Sequence, residues 1–139
     1  MIKNTASRFA AYQDIIAACS DESLQAKLDV PKNKSLAEHL CYIVGARESY
    51  ATAIEANEWQ GFTCSLQQFG QSDFSLKLAE SANRLLSVLE AVEEWTEVRN
   101  ELLRTLNEHE VMHEGQLIRH RYGLGYRIPE SVKWACCGN

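Results

Sequence analysis

The stretch LLRTLNEHEVMHEGQLIRHRYG, residues 102–123, has the repeat of an amphipathic helix that ends at a glycine. Six of its residues recur at intervals of three or four and share one face: Leu102, Leu106, His109, His113, Leu117 and His120. Histidine is unusual in a core-facing position, because both ring nitrogens then need polar partners. The stretch therefore predicts a long helix whose buried face carries chemistry as well as packing.

Helical spacing of apolar residues extends through most of the chain, and no segment alternates with a period of two. The first predicted helix runs from about Thr5 to Cys19, and a short turn of helix follows at Asp21 to Lys27. The second begins at a capping box formed by Ser35 and Glu38 and ends at about Ala56. The third is capped by Asp73 and ends near Glu94, and the fourth follows a linker at Trp95 to Val98. Residues 57–72 form the one long loop, which crosses the bundle and is anchored by Trp59, Phe62 and Phe69. We therefore predict an all-α four-helix bundle that forms a single domain over residues 1–139.

Composition excludes several classes of protein. A formal net charge of −5 over 139 residues does not favour binding to nucleic acid. No apolar run is long enough for a membrane span, and Gln13 and Asp14 interrupt the only segment that resembles a secretion signal. Five cysteines without CxxC spacing fit neither a disulfide framework nor a thiolate zinc site, although the adjacent Cys136 and Cys137 could be redox-active. A cytoplasmic protein is the expectation.

Three histidines are candidate metal ligands. His109 and His113 are four residues apart, so they lie on one helix face one turn apart. His39 lies on the inward stripe of the second helix, where it can meet them. Three imidazoles leave an open position on a bound ion, as in catalytic zinc sites. A hydrogen-bonded core histidine is the alternative for each one taken alone, and Cys41 is excluded because it points away from the ion.

Two further residues of the fourth helix need separate interpretations. His120 follows His113 by seven residues and lies about 10 Å further along the axis, which makes it a capping or cleft residue rather than a ligand. Glu110 completes the zinc-protease pattern H-E-x-x-H with His109 and His113. The positions of the extended protease motif carry Gln116 and Arg119, which disfavours a protease. Glu110 is therefore either a general base or an exposed surface glutamate.

The motifs Leu36-Ala37-Glu38-His39-Leu40 and His109-Glu110-Val111-Met112-His113-Glu114-Gly115-Gln116, followed by Gly123, Gly125 and Pro129, resemble those of the DinB-like (DinB/YfiT) superfamily. The resemblance runs from about residue 5 to residue 130. It implies a bundle with one long crossover, a divalent-metal site formed by His39, His109 and His113, and frequently a homodimer. Glu114 departs from the pattern, because arginine often follows the second histidine in that family.

The resemblance also implies relatives that transfer or rearrange substrates with low-molecular-weight thiols. We therefore expect a metal-dependent transferase acting on a small-molecule substrate, with a Zn or Ni ion and a low-molecular-weight thiol as cosubstrate. A metal-dependent hydrolase, or a non-catalytic bundle that binds a metal or small ligand, is the alternative. Arg119, Arg121, Arg127 and Lys133 outnumber Glu130 near the end of the fourth helix, where they either complement the helix dipole or attract an anionic substrate.

Overall fold

Helices account for all the regular structure in the computed structural model, which describes residues 2–135 and the side chains of residues 2–132. The elements are α1 (Ile2–Ala17), α2 (Asp21–Gln25), α3 (Leu36–Ala56), α4 (Gln71–Ala91), α5 (Glu97–Gly123) and a short 3-10 helix (Glu130–Ala135). Residues 2–135 contain no strand, so the all-α prediction is confirmed. No helix in this range is both long enough and apolar enough to cross a membrane.

Helix starts follow the local capping chemistry. At α3 the Glu38 backbone N–H donates to Ser35 Oγ at 3.2 Å, and the Ser35 N–H donates to the Glu38 carboxylate at 2.7 Å, which confirms the capping box. The prediction that Asp73 is the N-cap of the next long helix is wrong. Asp73 lies in the first turn of α4, and its carboxylate accepts from the Gly70 N–H at 2.9 Å. The Asp73 carboxylate reaches back to the N-cap residue Gly70, so α4 begins three residues earlier than predicted.

The long helices pack as a bundle in which α1 and α3 each contact both α4 and α5. Helices α3 and α4 are parallel, because residues later in α3 contact residues later in α4. Arg47 donates to the Leu78 carbonyl, and Arg84 donates to the Glu48 carbonyl. Contacts between α3 and α5 run in opposite directions, since His39 meets His113 whereas Ile54 meets Arg99. The remaining contacts place α1 parallel to α5 and antiparallel to α4.

The parallel arrangement of α3 and α4 requires the intervening chain to return along the whole bundle. Residues 57–70 do this on the outside of α3, where Ser49 Oγ accepts from the Thr63 N–H at 2.9 Å and Glu48 accepts from Ser65. The Phe62 ring crosses α3 at Gly45, where a Cβ atom would lie 2.3 Å from the ring. A long loop therefore does connect the two helices, but it ends at residue 70 rather than 72, because α4 begins at Gln71.

The aromatic residues of this loop contact the bundle less deeply than the predicted anchors would. Trp59 packs on Tyr50 and Phe69 on Phe74, with ring centroids 5.1 and 6.3 Å apart. Trp59, Phe62 and Phe69 nevertheless remain 46%, 53% and 49% exposed. They lie against the outer surface of the helices because the interior is already filled.

The buried apolar residues form two clusters along the bundle axis. One, beside α2, includes Tyr12, Ile15, Leu24, Leu40, Ile43 and Leu117. The other, at the opposite end, includes Phe9, Ile54, Leu85, Leu89, Leu103 and Leu106. Polar side chains of α1, α3 and α5 lie between and beside these clusters, and the candidate site is among them.

We expect Ser35→Ala to lower the free energy of unfolding by about 1 kcal/mol, because the Glu38 N–H loses its acceptor at the start of α3. The Tm should fall by about 3 °C for a chain of this size. Ser35→Thr keeps a hydroxyl and is the matched control. Equal stability of the alanine and threonine variants in thermal denaturation would contradict this role for Ser35.

Candidate metal centre and adjoining cavity

The structure brings together the three histidines predicted as ligands. His39 on the first turn of α3 and His113 in the middle of α5 are 8% and 6% exposed, and His109 is half-buried one turn before His113. The Nδ1 atoms of His39 and His113 are 3.3 Å apart, and the Nε2 atoms of His113 and His109 are 3.1 Å apart. The antiparallel packing of α3 and α5 therefore places imidazoles from two helices in direct contact.

These contacts are pairwise rather than directed at one point. His113 faces His39 with one ring nitrogen and His109 with the other. Accordingly, no three His, Cys, Asp or Glu side chains among the described residues are arranged to hold a metal ion. An ion shared by all three histidines would require the His113 ring to turn away from one of its present contacts. The prediction of His39, His109 and His113 as ligands stays a prediction.

The donor chemistry of the cluster does fit a divalent cation. Burial lowers the pKa of each of the three histidines, and Lys34 further lowers the pKa values of His39 and His113. The pKa of His113 falls to about 4 through burial and through the charges of His109, His39 and Lys34. Metal binding requires neutral imidazole. His109 Nδ1 is moreover buried without a hydrogen-bond partner, so the cluster contains an unsatisfied polar atom.

Glu110, the predicted general base, lies away from the cavity that the histidines line. Its side chain is 0% exposed, so the alternative of an exposed surface glutamate is wrong. Both carboxylate oxygens accept from Arg47, at 2.7 Å from Nε and 3.0 Å from Nη2. A general base needs an oxygen free to receive a proton from the reacting group. This geometry assigns Glu110 to a buried ion pair and does not favour the catalytic role.

Arg47 is the main residue that the sequence analysis missed. Its guanidinium lies 4.2 Å from the ring centroid of Phe9 and 5.0 Å from that of Tyr12, and it also donates to the Leu78 carbonyl at 3.1 Å. A signal was present, because Arg47 follows Ile43 by four residues on the apolar stripe of α3. A charge at such a position requires a buried partner.

Glu114, the departure from the family pattern, also faces inward. Its carboxylate accepts from Arg8 of α1 at 2.7 and 2.9 Å. Burial raises the pKa of Glu114, and the Arg8 charge opposes that rise. Glu114 therefore connects α5 to α1 and does not place a negative charge in the cavity.

A cavity of about 440 Å³ opens beside the histidines, between α3, α5 and the segment before α3. His39, His113 and His120 line it together with Lys32, Lys34, Asn33, Gln116 and Arg119, and its apolar wall consists of Leu28, Val30, Tyr42 and Met112. This volume lies within the usual range for small-molecule sites. The Tyr42 ring is nearly parallel to that of His113 with centroids 6.2 Å apart, and Lys34 Nζ lies 4.2 Å from the Tyr42 centroid.

His120 lines this cavity, in agreement with its prediction as a cleft residue. It is only 2% exposed, and neither ring nitrogen makes a hydrogen bond of ordinary geometry. Burial lowers the pKa of His120, while a contact with the Ala26 backbone opposes that change. Even with that contact, at least one of its two ring nitrogens has no partner among the described residues.

The three described cysteines lie apart from the histidine cluster. Cys41 lies beside the crossover loop, where its carbonyl accepts from the Cys64 thiol at 3.8 Å, and burial raises the pKa of Cys41 to about 11. Cys19 contacts Arg121 at 3.1 Å, and burial raises the Cys19 pKa. Cys136 and Cys137 lie outside the described residues. The exclusion of Cys41 as a ligand stays a prediction.

No family model matches the chain, and comparisons with curated proteins and with solved structures also give no match.

We expect Glu110→Gln to destabilise the protein by about 3–5 kcal/mol, because Arg47 would remain buried without a countercharge. Glu108→Gln is the matched control, since Glu108 is exposed on the same helix and pairs with Arg104 at the surface. That control should change stability by at most about 0.5 kcal/mol. Urea denaturation that shows equal effects for the two variants would rule out the structural role of the buried pair.

The low pKa of His113 predicts that stability falls in mild acid. The folded state resists protonation of His113 down to about pH 4, whereas the unfolded chain takes up the proton near pH 6.5. The free energy of unfolding should therefore be unaffected by His113 above about pH 6.5 and decrease as the pH falls towards 4. Protonation of His113 should lower it by about 2 kcal/mol at pH 5.

Urea denaturation of the wild type and of His113→Gln between pH 5 and 7.5 measures this contribution. The variant should lose less stability over that interval, because glutamine does not titrate. The same pH dependence in both proteins would show that His113 is not responsible.

Proposed function

We propose that this protein is a DinB-like, divalent-metal-dependent enzyme that performs thiol-linked transfer on a small-molecule substrate. The observation that carries the proposal is the contact between His39 of α3 and the His109–His113 pair of α5, beside a cavity large enough for a substrate. The family motifs and the all-helical bundle are consistent with it. A homodimer, which the same resemblance implies, stays a prediction.

His39, His109 and His113 would hold the ion. Their lowered pKa values leave the rings neutral at neutral pH, so their lone pairs are available to a cation without loss of a proton. The unpartnered His109 Nδ1 shows that the hydrogen-bonding capacity of the cluster is not met within the protein. A bound cation would supply Lewis-acid chemistry, lowering the pKa of a bound water or thiol.

The remaining residues of the site would bind and orient the substrate. His113 and His39 line the cavity, so the open side of the cluster faces the space that a substrate would occupy. Tyr42 and Met112 offer apolar surface next to His113, and Gln116 offers an amide one turn further along α5.

Thiol transfer is favoured over hydrolysis because, among the described residues, each carboxylate near the cluster in sequence is already engaged. Glu38, next to His39, accepts from the Ser35 N–H. Hydrolysis of the zinc-protease type needs a glutamate as general base. Glu110 bonds to Arg47 and Glu114 bonds to Arg8, so both carboxylates beside His113 in sequence are held elsewhere. A thiol that binds a cation loses its proton without a strong base.

The test is metal analysis of the purified protein, followed by an assay with a low-molecular-weight thiol and an electrophile. We expect about one divalent ion per chain, with three histidine ligands. His113→Ala should lose both the ion and the activity. His120→Gln is the control for the ion, because His120 lies outside the predicted ligand set, and it should keep the same metal content.

Two results would contradict the proposal. Metal content that is unchanged in His113→Ala would remove the ligand assignment. Metal binding without thiol-dependent turnover of any electrophile tested would leave a non-catalytic metal-binding bundle, the alternative from the sequence.

A further inference from the structure

The cavity beside the histidines is lined by positive charge without compensating negative charge. Lys32 and Lys34 approach it from the segment before α3, and Arg119 approaches it from α5. No aspartate or glutamate is among the described residues that line it. The whole chain carries a net charge of −5, so this concentration of cations is contrary to the overall charge.

These cations are not engaged in ion pairs within the part of the chain that the structure describes. The carboxylates nearest in sequence are Asp29 and Glu38. Asp29 is exposed and does not line the cavity, although Leu28 and Val30 on either side of it do. Glu38 accepts from the Ser35 N–H and lies 3.7 Å from Lys27, so Lys34 feels its charge without forming an ion pair with it. Lys34 lies over the Tyr42 ring, which leaves its ammonium group at the cavity wall. Its charge reaches the interior, because it contributes to the lowered pKa values of both His39 and His113.

The second, independent observation is His120. This side chain is buried to 2% exposure, lines the same cavity, and retains at least one ring nitrogen without a partner. A buried polar group left unsatisfied by the protein is costly, and a bound ligand is one way in which that cost is removed. Arg121, the neighbouring cation, does not share this property, because it donates to the carbonyls of Ala18 and Arg127.

We infer that this cavity binds a small organic anion, with its carboxylate or phosphate group among Lys32, Lys34 and Arg119 and its apolar body against Tyr42 and Met112. His120 supplies a hydrogen bond from the cavity wall. This inference deepens the proposed function by naming the class of substrate that the site takes. The basic residues near the end of α5 then have different roles. Arg119 faces the anionic ligand, whereas Arg121 joins the end of α1 to the segment after α5 by donating to the carbonyls of Ala18 and Arg127.

Benzoate and benzyl alcohol are suitable probes, because they have the same ring and differ in charge. Calorimetric titration of the full chain after removal of metal by a chelator keeps direct coordination out of the measurement. We expect benzoate to bind about tenfold more tightly than benzyl alcohol, since hydrogen bonds to charged groups are the stronger ones. The ring-nitrogen chemical shifts of His120 should change saturably with benzoate.

The double variant Lys34→Gln/Arg119→Gln removes two exposed cations and should reduce the preference for benzoate to about twofold or less. Arg127→Gln is the matched control, because Arg127 is an exposed cation near the same end of the bundle that does not line the cavity. It should leave the preference unchanged. Comparison of the two variants shows whether benzoate binds at the cavity or is attracted by positive charge anywhere at this end of the bundle.

Equal affinity of the wild type for the two probes, no binding of either, or an unchanged preference in the double variant would overturn the inference. Each of these results is independent of metal content, which is measured separately. Benzoate binding in a protein that takes up no metal would support the anion site and contradict the proposed metal-dependent function. Metal uptake without a preference for benzoate would contradict the anion site and leave the metal-dependent function standing.

Discussion

The buried ion pair between Arg47 and Glu110 is the interaction on which the arrangement of the bundle depends. Arg47 belongs to α3. It pairs with Glu110 of α5, donates to the Leu78 carbonyl of α4, and lies near the rings of Phe9 and Tyr12 of α1. One guanidinium therefore contacts all four long helices. A charge removed from water must have its partner in place, so only one register of these helices satisfies it.

That register also brings the histidines together. Glu110 lies between His109 and His113 in sequence, so fixing its carboxylate against α3 fixes the rotation of α5 about its axis. The face that carries His113 is then turned towards His39 at the beginning of α3. A second ion pair, Arg8 with Glu114, holds the same part of α5 against α1. In the segment from His109 to Glu114, the two glutamates therefore orient the helix, and the two histidines form part of the site.

The environment of the histidines shows how burial and charge act together. Each of the four has a lowered pKa, chiefly because burial disfavours the imidazolium ion. Lys34 at the cavity wall also lowers the pKa values of His39 and His113. The charges of Glu38 on His39 and of Glu110 on His109 oppose the shift, but burial outweighs them. Neutral rings and uncompensated ammonium and guanidinium groups consequently occur side by side. This combination suits a site that receives a cation at one wall and an anionic group at another.

The local structure follows from short stretches of the amino-acid sequence. Several features depend on neighbours within a few residues, which is the range over which such patterns act. They are the helical periodicity, the capping box at Ser35 and Glu38, the loop after Ala56 and the inward positions of His39 and His113. Tertiary structure decided what each buried charge meets. Arg47 and Glu110 are 63 residues apart, and Arg8 and Glu114 are 106 apart, so no local pattern could pair them. The burial of Glu110 and its pairing with Arg47 could therefore not be predicted from its motif. The convergence of Lys32, Lys34, Arg119 and His120 on one cavity likewise exists only because the bundle places two distant segments side by side.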